Sequence, residues 1–401
     1  MRTTWSFHTA GQLIFGRKAA QQLGDCAGRL GAGRVLVITD RSLVEAGVVE
    51  QICVPLSDAG IVVNVFDGGQ PEPPISAVEG AIAAARDMRA DLLLGVGGGS
   101  NMDITKAAAV VLAHGGAVID YAGDEVVPGP IFPIILVPTT AGTGSEVSAA
   151  AVLSDPDRGI KFGILSNHLR PKVAVVDPLL TVSCPPHVTA GSGIDALTHA
   201  VEAFTAVDNE TFPVPATERT VYQGRHPLGD VLAERAIELI GRHLRRAVSD
   251  GDDLEAREGM SLAATLAGMA FSNVGVAVVH ALEFALNKVI HTPHGTGCGL
   301  LLPFVMQFNA PARPQQMRRI AALLGEDVSG ADDATAAGMA VSAVERLKSD
   351  IGIPARMSDV GVEADQLPAM AEFAFSIKRI LRVNPRPVTQ DDLRAILESA
   401  L

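Results

Sequence analysis

The sequence predicts an α/β unit with a parallel sheet over residues 1–184, followed by a mainly α-helical unit over residues 185–401. Three observations carry this. Short β-branched runs alternate with alanine-rich stretches from residue 33 to about residue 180. After Asp177-Pro178 the strand signal stops and apolar residues recur three or four apart. Between the two patterns stands Ser183-Cys184-Pro185-Pro186, where paired prolines oppose helix continuation and favour extended backbone. At about 150 residues per domain, a chain of 401 residues also divides into two or three.

Strands are predicted at residues 35–38, 62–66, 92–96, 134–137 and 173–176, each apolar nearly throughout. Runs of that length separated by helices, such as the one predicted at 75–88, imply strands buried on both faces of a doubly wound parallel sheet. In the second unit, Leu232, Ala236, Leu239, Ile240 and Leu244 form one helical stripe, with Asp230 placed to cap its start and Gly251 following its end. Residues 208–229 are polar, proline-bearing and aperiodic, and are expected to form a surface loop of functional length.

Composition narrows the partners. With 48% hydrophobic residues, 40 glycines and 24 prolines, the chain is globular rather than disordered. Its 32 basic and 45 acidic residues give a net charge of −13, so no positive field gathers a phosphate backbone, and nucleic acid is not an expected partner. Residues 1–8 lack a signal-peptide core, and no stretch reaches the roughly 18 apolar residues of a membrane span. A soluble, unprocessed, cytoplasmic protein with no membrane association is expected. Cys26, Cys53, Cys184 and Cys298 are far apart and form no CxxC pair, which suggests neither a disulfide framework nor a thiolate zinc site.

Two glycine-bearing segments follow buried strands. Gly95-Val96-Gly97-Gly98-Gly99-Ser100 leads into Asn101-Met102-Asp103-Ile104-Thr105-Lys106, which opens a helix. A turn without side chains lets backbone approach a pyrophosphate, while the helix amino end offers unpaired N–H groups and positive dipole character. Ser100 stands where the third glycine of G-x-G-x-x-G would be, and such turns also serve only to reverse the chain. Pro138-Thr139-Thr140-Ala141-Gly142-Thr143-Gly144-Ser145-Glu146 lies at the end of the next strand, so the two loops make a crevice of the kind in which dinucleotides lie. Asp40 follows the first strand. It either accepts a hydrogen bond from an adenosine ribose, favouring NAD over NADP, or starts the helix at Arg41.

Asp195 and His199 are four apart in a stretch of helical composition and hence share one face. They are either a pair of cation ligands or a capping aspartate beside a surface histidine. His280 follows the apolar run 274–279, and Thr292-Pro293-His294-Gly295 places another imidazole at a helix start. A histidine in such an apolar helix is either a hydrogen-bonded core residue or a ligand. Asp, His, His and His together suit a divalent cation. One carboxylate and three neutral imidazoles leave it a net +1, so an alcohol bound there would lose its proton more readily.

The segments G-G-G-S-N-M-D-I-T-K, V-P-T-T-A-G-T-G-S-E, G-I-D-A-L-T-H-A-V-E and H-A-L-E-F-A-L-N-K-V-I-H-T-P-H-G resemble signatures of the iron-dependent (group III) alcohol dehydrogenase family, and the likeness covers nearly the whole chain. The resemblance implies an NAD-binding, Rossmann-like domain over 1–184, an all-helical metal and substrate domain over 185–401, and a cleft between them. By motif it makes Asp195, His199, His280 and His294 the metal ligands and the centre of catalysis. Gly98, Gly99, Ser100, Thr139 and Thr140 match NAD-contacting positions, Lys161 a lysine near the nicotinamide ribose, and Asp103 an acidic residue facing the pyrophosphate and nicotinamide. The cofactors implied are NAD and Fe2+, although the same donors suit zinc. A small alcohol, aldehyde or hydroxy acid would be the substrate, and a homodimer or larger assembly is expected.

Two departures stand out. Phe284 occupies a position where many relatives carry a histidine linked to proton transfer, leaving His291 as a substitute by proximity in sequence. Glu72 stands where many members have asparagine. The segment 221–230, V-Y-Q-G-R-H-P-L-G-D, is similar to an insertion of hydroxyacid–oxoacid transhydrogenases, which retain NAD and shuttle hydride between two organic acids. On that alternative, Arg219, Arg225 and His226 would face a substrate carboxylate.

Overall fold

The computed structural model describes residues 2–215 and 217–401. Their contacts form two compact units, one of residues 8–184 with 219–221 and one of residues 2–7, 185–215, 217–218 and 222–401.

The first unit is built on a six-stranded, all-parallel sheet of β1 (Gln12–Phe15), β2 (Arg34–Ile38), β3 (Val62–Phe66), β4 (Leu92–Gly97), β6 (Ile134–Pro138) and β9 (Val173–Val176), in the order β1-β9-β6-β4-β2-β3. A smaller sheet, β5 (Gly123–Asp124), β8 (Ile160–Leu165) and β7 (Ala150–Asp155), pairs β7 with β8 antiparallel and β5 with β8 parallel. The helices are α1 (Leu23–Arg29), α2 (Arg41–Glu45), α3 (Val48–Asp58), α4 (Ile75–Asp87) and α5 (Gly99–His114). Alternate residues of one strand enter opposite cores: Leu36 and Ile38 pack with α4 and α5, and Val35 and Val37 with α1 and α3. That explains why the central strands read as unbroken apolar runs, each buried Val, Leu or Ile contributing about 1.5–3 kcal/mol.

Three features depart from expectation. β3 is not buried on both faces; it is an edge strand, and Val62 is 59% exposed. β1 escaped notice because four residues, QLIF, carry too little pattern. β7 and β8 escaped because their sequences, AAVLSD and IKFGIL, mix polar with apolar positions as a small sheet with one wetted face does.

The second unit consists of α6 (Pro186–Thr205), α7 (Pro227–Ser249), α8 (Leu254–Val274), α9 (Val278–Val289), α10 (His294–Asn309), α11 (Pro314–Leu323), α12 (Asp333–Asp350), α13 (Leu367–Ser376), α14 (Lys378–Leu381) and α15 (Gln390–Ala400). Pro186 starts α6 instead of merely ending what precedes it, since a first-turn proline lacks only an N–H that would have no partner there. Asp230 is not the cap of α7: His226 is, its Nδ1 accepting from Gly229 N at 3.1 Å, while Asp230 accepts from Arg225 Nε at 2.9 Å. Residues 208–229 are not a surface loop along their length. Phe212, Val214, Tyr222 and His226 are buried, and Trp5 stacks on the His226 ring at 4.5 Å. Among the described residues no single helix is long and apolar enough to cross a membrane.

Candidate active site

At the carboxyl end of β4, Gly97 takes φ +141°, and a Cβ there would stand 2.2 Å from Asn101 Nδ2. Gly98 precedes α5 and offers no side chain to cap it, so the first-turn amides of Gly99 and Ser100 are left for an outside acceptor. A Cβ on Gly98 would lie 3.6 Å from Thr140 Oγ1, and one on Gly99 would lie 3.0 Å from Thr143 Cγ2, so the loop after β6 closes directly over the glycine turn. Thr139 N donates to Gly97 O at 3.0 Å and fixes that approach. Lys106 does the rest. Fully buried, it donates to Ser145 Oγ (2.8 Å), Ser148 Oγ (3.1 Å) and Ala150 O (2.8 Å), and burial lowers its pKa to about 8. Only the motif ending in Lys106 hinted at this role.

The acidic candidates here are engaged with the protein. Asp40 caps α2 through Leu43 N at 3.1 Å and also accepts from Asn101 Nδ2 at 2.7 Å, so the helix-starting alternative describes its geometry. Asp103 accepts from Ser145 Oγ and Val152 N, both at 2.9 Å. Lys161, on β8, pairs with Glu72 at 3.2 Å, and Glu72 itself sits at φ +51°.

In the helical unit, Asp195, His280, His294 and Cys298 bring one donor atom each to within 4.8 Å of all the others. His199 adjoins them. Its Nε2 is 3.9 Å from Asp195 Oδ1, and its ring stacks between Phe271 (4.1 Å) and His280 (4.9 Å). Two helices deliver their donors in the same way, as pairs four apart on one face: Asp195 with His199 on α6, and His294 with Cys298 at the start of α10. The absence of CxxC pairs argued against a thiolate site, yet the fold places Cys298 among the imidazoles. The signal available was its spacing of four from His294.

Carboxylates set behind the ring fix which nitrogen faces inward. Glu202 lies 2.6 Å from His280 Nδ1 and also accepts from Ala277 N (2.8 Å) and Val279 N (2.7 Å). Glu283 Oε2 lies 2.6 Å from His294 Nδ1, a close approach whose angle departs from that of a hydrogen bond. A carboxylate oxygen can only accept, so His280 Nδ1 carries the proton and its Nε2 is left as the donor atom toward the centre. Burial pushes the Asp195 carboxyl up, but His199, His294, His280 and a hydrogen bond from Cys298 outweigh it and hold the carboxyl below its usual range. Burial, with Asp195, Glu283 and Glu202 nearby, pushes the Cys298 thiol well above its ordinary value.

These residues fit a cation. Asp195 Oδ1 and His280 Nε2, on side chains only 2% and 4% exposed, have no hydrogen-bond partner among the described residues. Two donors about 2.0–2.3 Å from a shared ion at a tetrahedral angle stand about 3.3–3.8 Å apart. His294 Nε2 is 3.7 Å from Asp195 Oδ1 and 3.7 Å from Cys298 Sγ. Phe284, by contrast, offers no proton; it packs 6.1 Å from the His294 ring, and His291 is exposed.

Residues 10–178 match the sequence profile described as iron-containing alcohol dehydrogenase, and residues 214–401 match that of the C-terminal domain of the Fe-containing alcohol dehydrogenase family. Long-chain-alcohol dehydrogenase 1 of Geobacillus thermodenitrificans is 42% identical over 385 residues, 95% of this chain and 93% of that protein. A mitochondrial hydroxyacid–oxoacid transhydrogenase of Xenopus tropicalis is 31% identical over 423 residues, 100% of this chain and 91% of that protein. A crystal structure of 1,3-propanediol oxidoreductase superposes with a TM-score of 0.93 at 37% identity, covering 99% of this chain and 100% of the other. That of sulfoacetaldehyde reductase from Bifidobacterium kashiwanohense in complex with NAD+ does so with a TM-score of 0.86 at 29% identity, covering 100% and 99%. Two profile matches spanning most of its length, a full-length relative at this identity and the shared architecture make this chain an oxidoreductase belonging to the iron-containing alcohol dehydrogenase family.

Proposed function

We propose that this protein oxidises a small primary alcohol, or reduces the matching aldehyde, using NAD and one divalent cation held by Asp195, His199, His280 and His294. The convergence of Asp195 Oδ1, His280 Nε2 and His294 Nε2 carries the reading, because Asp195 Oδ1 and His280 Nε2 are buried without a hydrogen-bond partner among the described residues, at a cost of about 1–3 kcal/mol each unless a ligand takes them. When bound, the cation supplies Lewis acidity toward an alcohol or carbonyl oxygen, and NAD supplies the hydride acceptor. Glu202 holds the His280 ring in the tautomer and orientation needed, and Glu283 lies against the far side of the His294 ring. Gly97, Gly98, Gly99 and Ser100, with Thr139 and Thr140, would receive the pyrophosphate on backbone amides; Asp40, Asp103 and Lys161 would line the rest of the nucleotide's course. Ferrous iron is the family's metal, and zinc suits the same donors.

Phe271 and Phe284 set aromatic rings beside His199 and His294, which suits the apolar part of a neutral alcohol. Two of the three groups that a transhydrogenase would turn toward a carboxylate are otherwise committed, and the third, Arg219, is exposed. Arg225 is paired with Asp208 at 3.1 Å and Asp230 at 2.9 Å. His226 caps α7, and burial lowers its pKa to about 4, which keeps it uncharged near neutrality. A preparation of His280→Ala that kept full turnover and metal content would refute the proposal. Mixing the enzyme with 4-hydroxybutyrate and 2-oxoglutarate without added NAD should yield no product; product would favour the transhydrogenase.

A further inference from the structure

We infer that Gln223 is a positioning residue for the cation site, tying an amino-terminal strap, residues 2–7, to the turn that seats Glu202 behind His280. Gln223 is 8% exposed, and each of its four polar atoms has a partner. Its side-chain amide pairs with the backbone of Ser6 as a neighbouring strand would, Nε2 donating to Ser6 O and Oε1 accepting from Ser6 N, both at 2.9 Å. Its main chain is engaged elsewhere: the N–H donates to Asn273 O at 3.0 Å, and the carbonyl accepts from Asn209 Nδ2 at 2.7 Å. The strap has further holds on the same stretch of the helical unit. Arg2 N donates to Glu210 O at 3.1 Å, its Nη2 donates to Val214 O and Pro215 O, both at 3.2 Å, and Trp5 stacks on His226 at 4.5 Å.

What Gln223 holds through its main chain is the end of α8. The last carbonyls of a helix have no partner within it, and those of Asn273 and Val274 accept from the N–H groups of Gln223 and Gly224, both at 3.0 Å. Only residues 275–277 then separate α8 from α9, and the chain bends by 100° between them. Gly275 takes φ +122° there, and a Cβ on it would stand 2.8 Å from Val383 Cγ2 and 3.1 Å from Tyr222 Cδ2. Beyond it, Ala277 N and Val279 N donate to Glu202 at 2.8 and 2.7 Å, and Glu202 lies 2.6 Å from His280 Nδ1. One turn before the end of α8, Phe271 stacks on His199 at 4.1 Å.

Loss of the Gln223 amide therefore acts on the donors from a distance. Once the strap is released, residues 223 and 224 no longer hold their two N–H groups against the end of α8, its last turn frays, and the turn 275–277 no longer aims its amide at Glu202. His280 keeps its nitrogen but loses the fixed carboxylate behind it, and removal of such a partner lowers metal affinity about 10–100-fold. The coupling is reciprocal: a cation that binds more tightly with the strap seated seats the strap by the same factor. Trp5 reports on this, being the chain's single tryptophan, on the strap and 41% exposed.

Positioning by Gln223 rests on the cation reading of the proposed function, and one experiment separates the two. The full-length chain is stripped of metal and titrated with zinc alone against a chromophoric chelator, with acrylamide quenching of Trp5 followed in parallel. In the unaltered chain zinc should bind and reduce the quenching. In Gln223→Leu, similar in size but without the amide, zinc affinity should fall about 10–100-fold and the quenching should no longer respond to zinc. Ser6→Pro, which removes the N–H that Oε1 accepts, should act in the same direction and takes the place of the leucine variant if that fails to fold. Asn309→Ala is the control: it breaks another buried amide pair of the helical unit, Asn309 with Asn384 at 2.8 Å, and should leave both readouts as they are. An equal fall in the control would make general loosening the cause and overturn the role of Gln223. Unchanged zinc affinity in the strap variant, or quenching indifferent to zinc in the unaltered chain, would overturn it as well and leave the cation site standing. No zinc binding by the unaltered chain overturns the cation reading and this inference with it.

Discussion

In the α/β unit the polar side chains near the glycine turn answer one another: Asp103 takes Ser145 and Val152, Asp40 takes Leu43 and Asn101, Lys161 takes Glu72, and Lys106 donates to the loop after β6 and to the first residue of β7. In the helical unit the reverse holds, for Asp195 Oδ1 and His280 Nε2 are buried without such partners while Glu202 and Glu283 brace the rings from behind. The acidic and lysine side chains near the glycine turn are thus satisfied within the protein. On the function proposed above, a cation would take Asp195 Oδ1 and His280 Nε2, so the stability of the helical cluster and its chemistry should depend on the same ligand.

The largest expected effect is that of His280→Ala. It should abolish retention of the cation and lower kcat/KM about a thousandfold or more, as loss of several kcal/mol of charge stabilisation requires. Elemental analysis with an NADH-formation assay checks both halves, and loss of activity with the cation retained would break the comparison. Chelation comes next. If the cation is present at about a thousand times its Kd, removing it costs about 4 kcal/mol, so the melting transition of the helical unit should fall by roughly 10 °C. Calorimetry should show the sheet unit's transition unmoved; a fall shared equally would contradict the contrast drawn here.

Glu202→Gln should weaken cation affinity about 10–100-fold, measured by competition with a chromophoric chelator, because His280 then loses its carboxylate. On the other side, Gly97→Ala should raise KM for NAD about tenfold while leaving metal content untouched. Its φ of +141° and the 2.2 Å approach to Asn101 make any Cβ costly by about 1–3 kcal/mol. A changed metal content in that variant would show that the two regions are not separable.

The smallest effect concerns His226. With its folded pKa held to about 4 against an ordinary 6.5, the unfolded chain binds a proton that the folded one refuses between those values. Stability should therefore be unaffected above pH 6.5 and fall as pH drops from 6.5 toward 4. Urea midpoints at several pH values should decline less steeply for His226→Gln.

The central strands were legible because each is buried on both faces, and the sequence of β2 shows this directly in Val35 to Ile38. The edge and small-sheet strands were not, because partial wetting dilutes the apolar run. For the site, spacing of four marked Asp195 with His199, and the helix start marked His294. The braces were harder to place. Glu202 lies three residues after His199 and Glu283 three after His280, yet Glu202 serves His280 on another helix and Glu283 serves His294. Helical spacing alone assigns each to the wrong ring. Cys298 depended on the close approach of α10 that Gly295, Gly297 and Gly299 allow, a tertiary fact without local pattern.

The most direct test strips the protein of metal, follows NADH formation from a primary alcohol, and then restores ferrous iron or zinc stepwise. Turnover should vanish on stripping and return in proportion to bound metal, saturating at about one equivalent per chain. Undiminished turnover in the stripped protein, or saturation at no defined stoichiometry, would contradict the claim that the Asp195–His280–His294 cluster holds the cation on which the reaction depends.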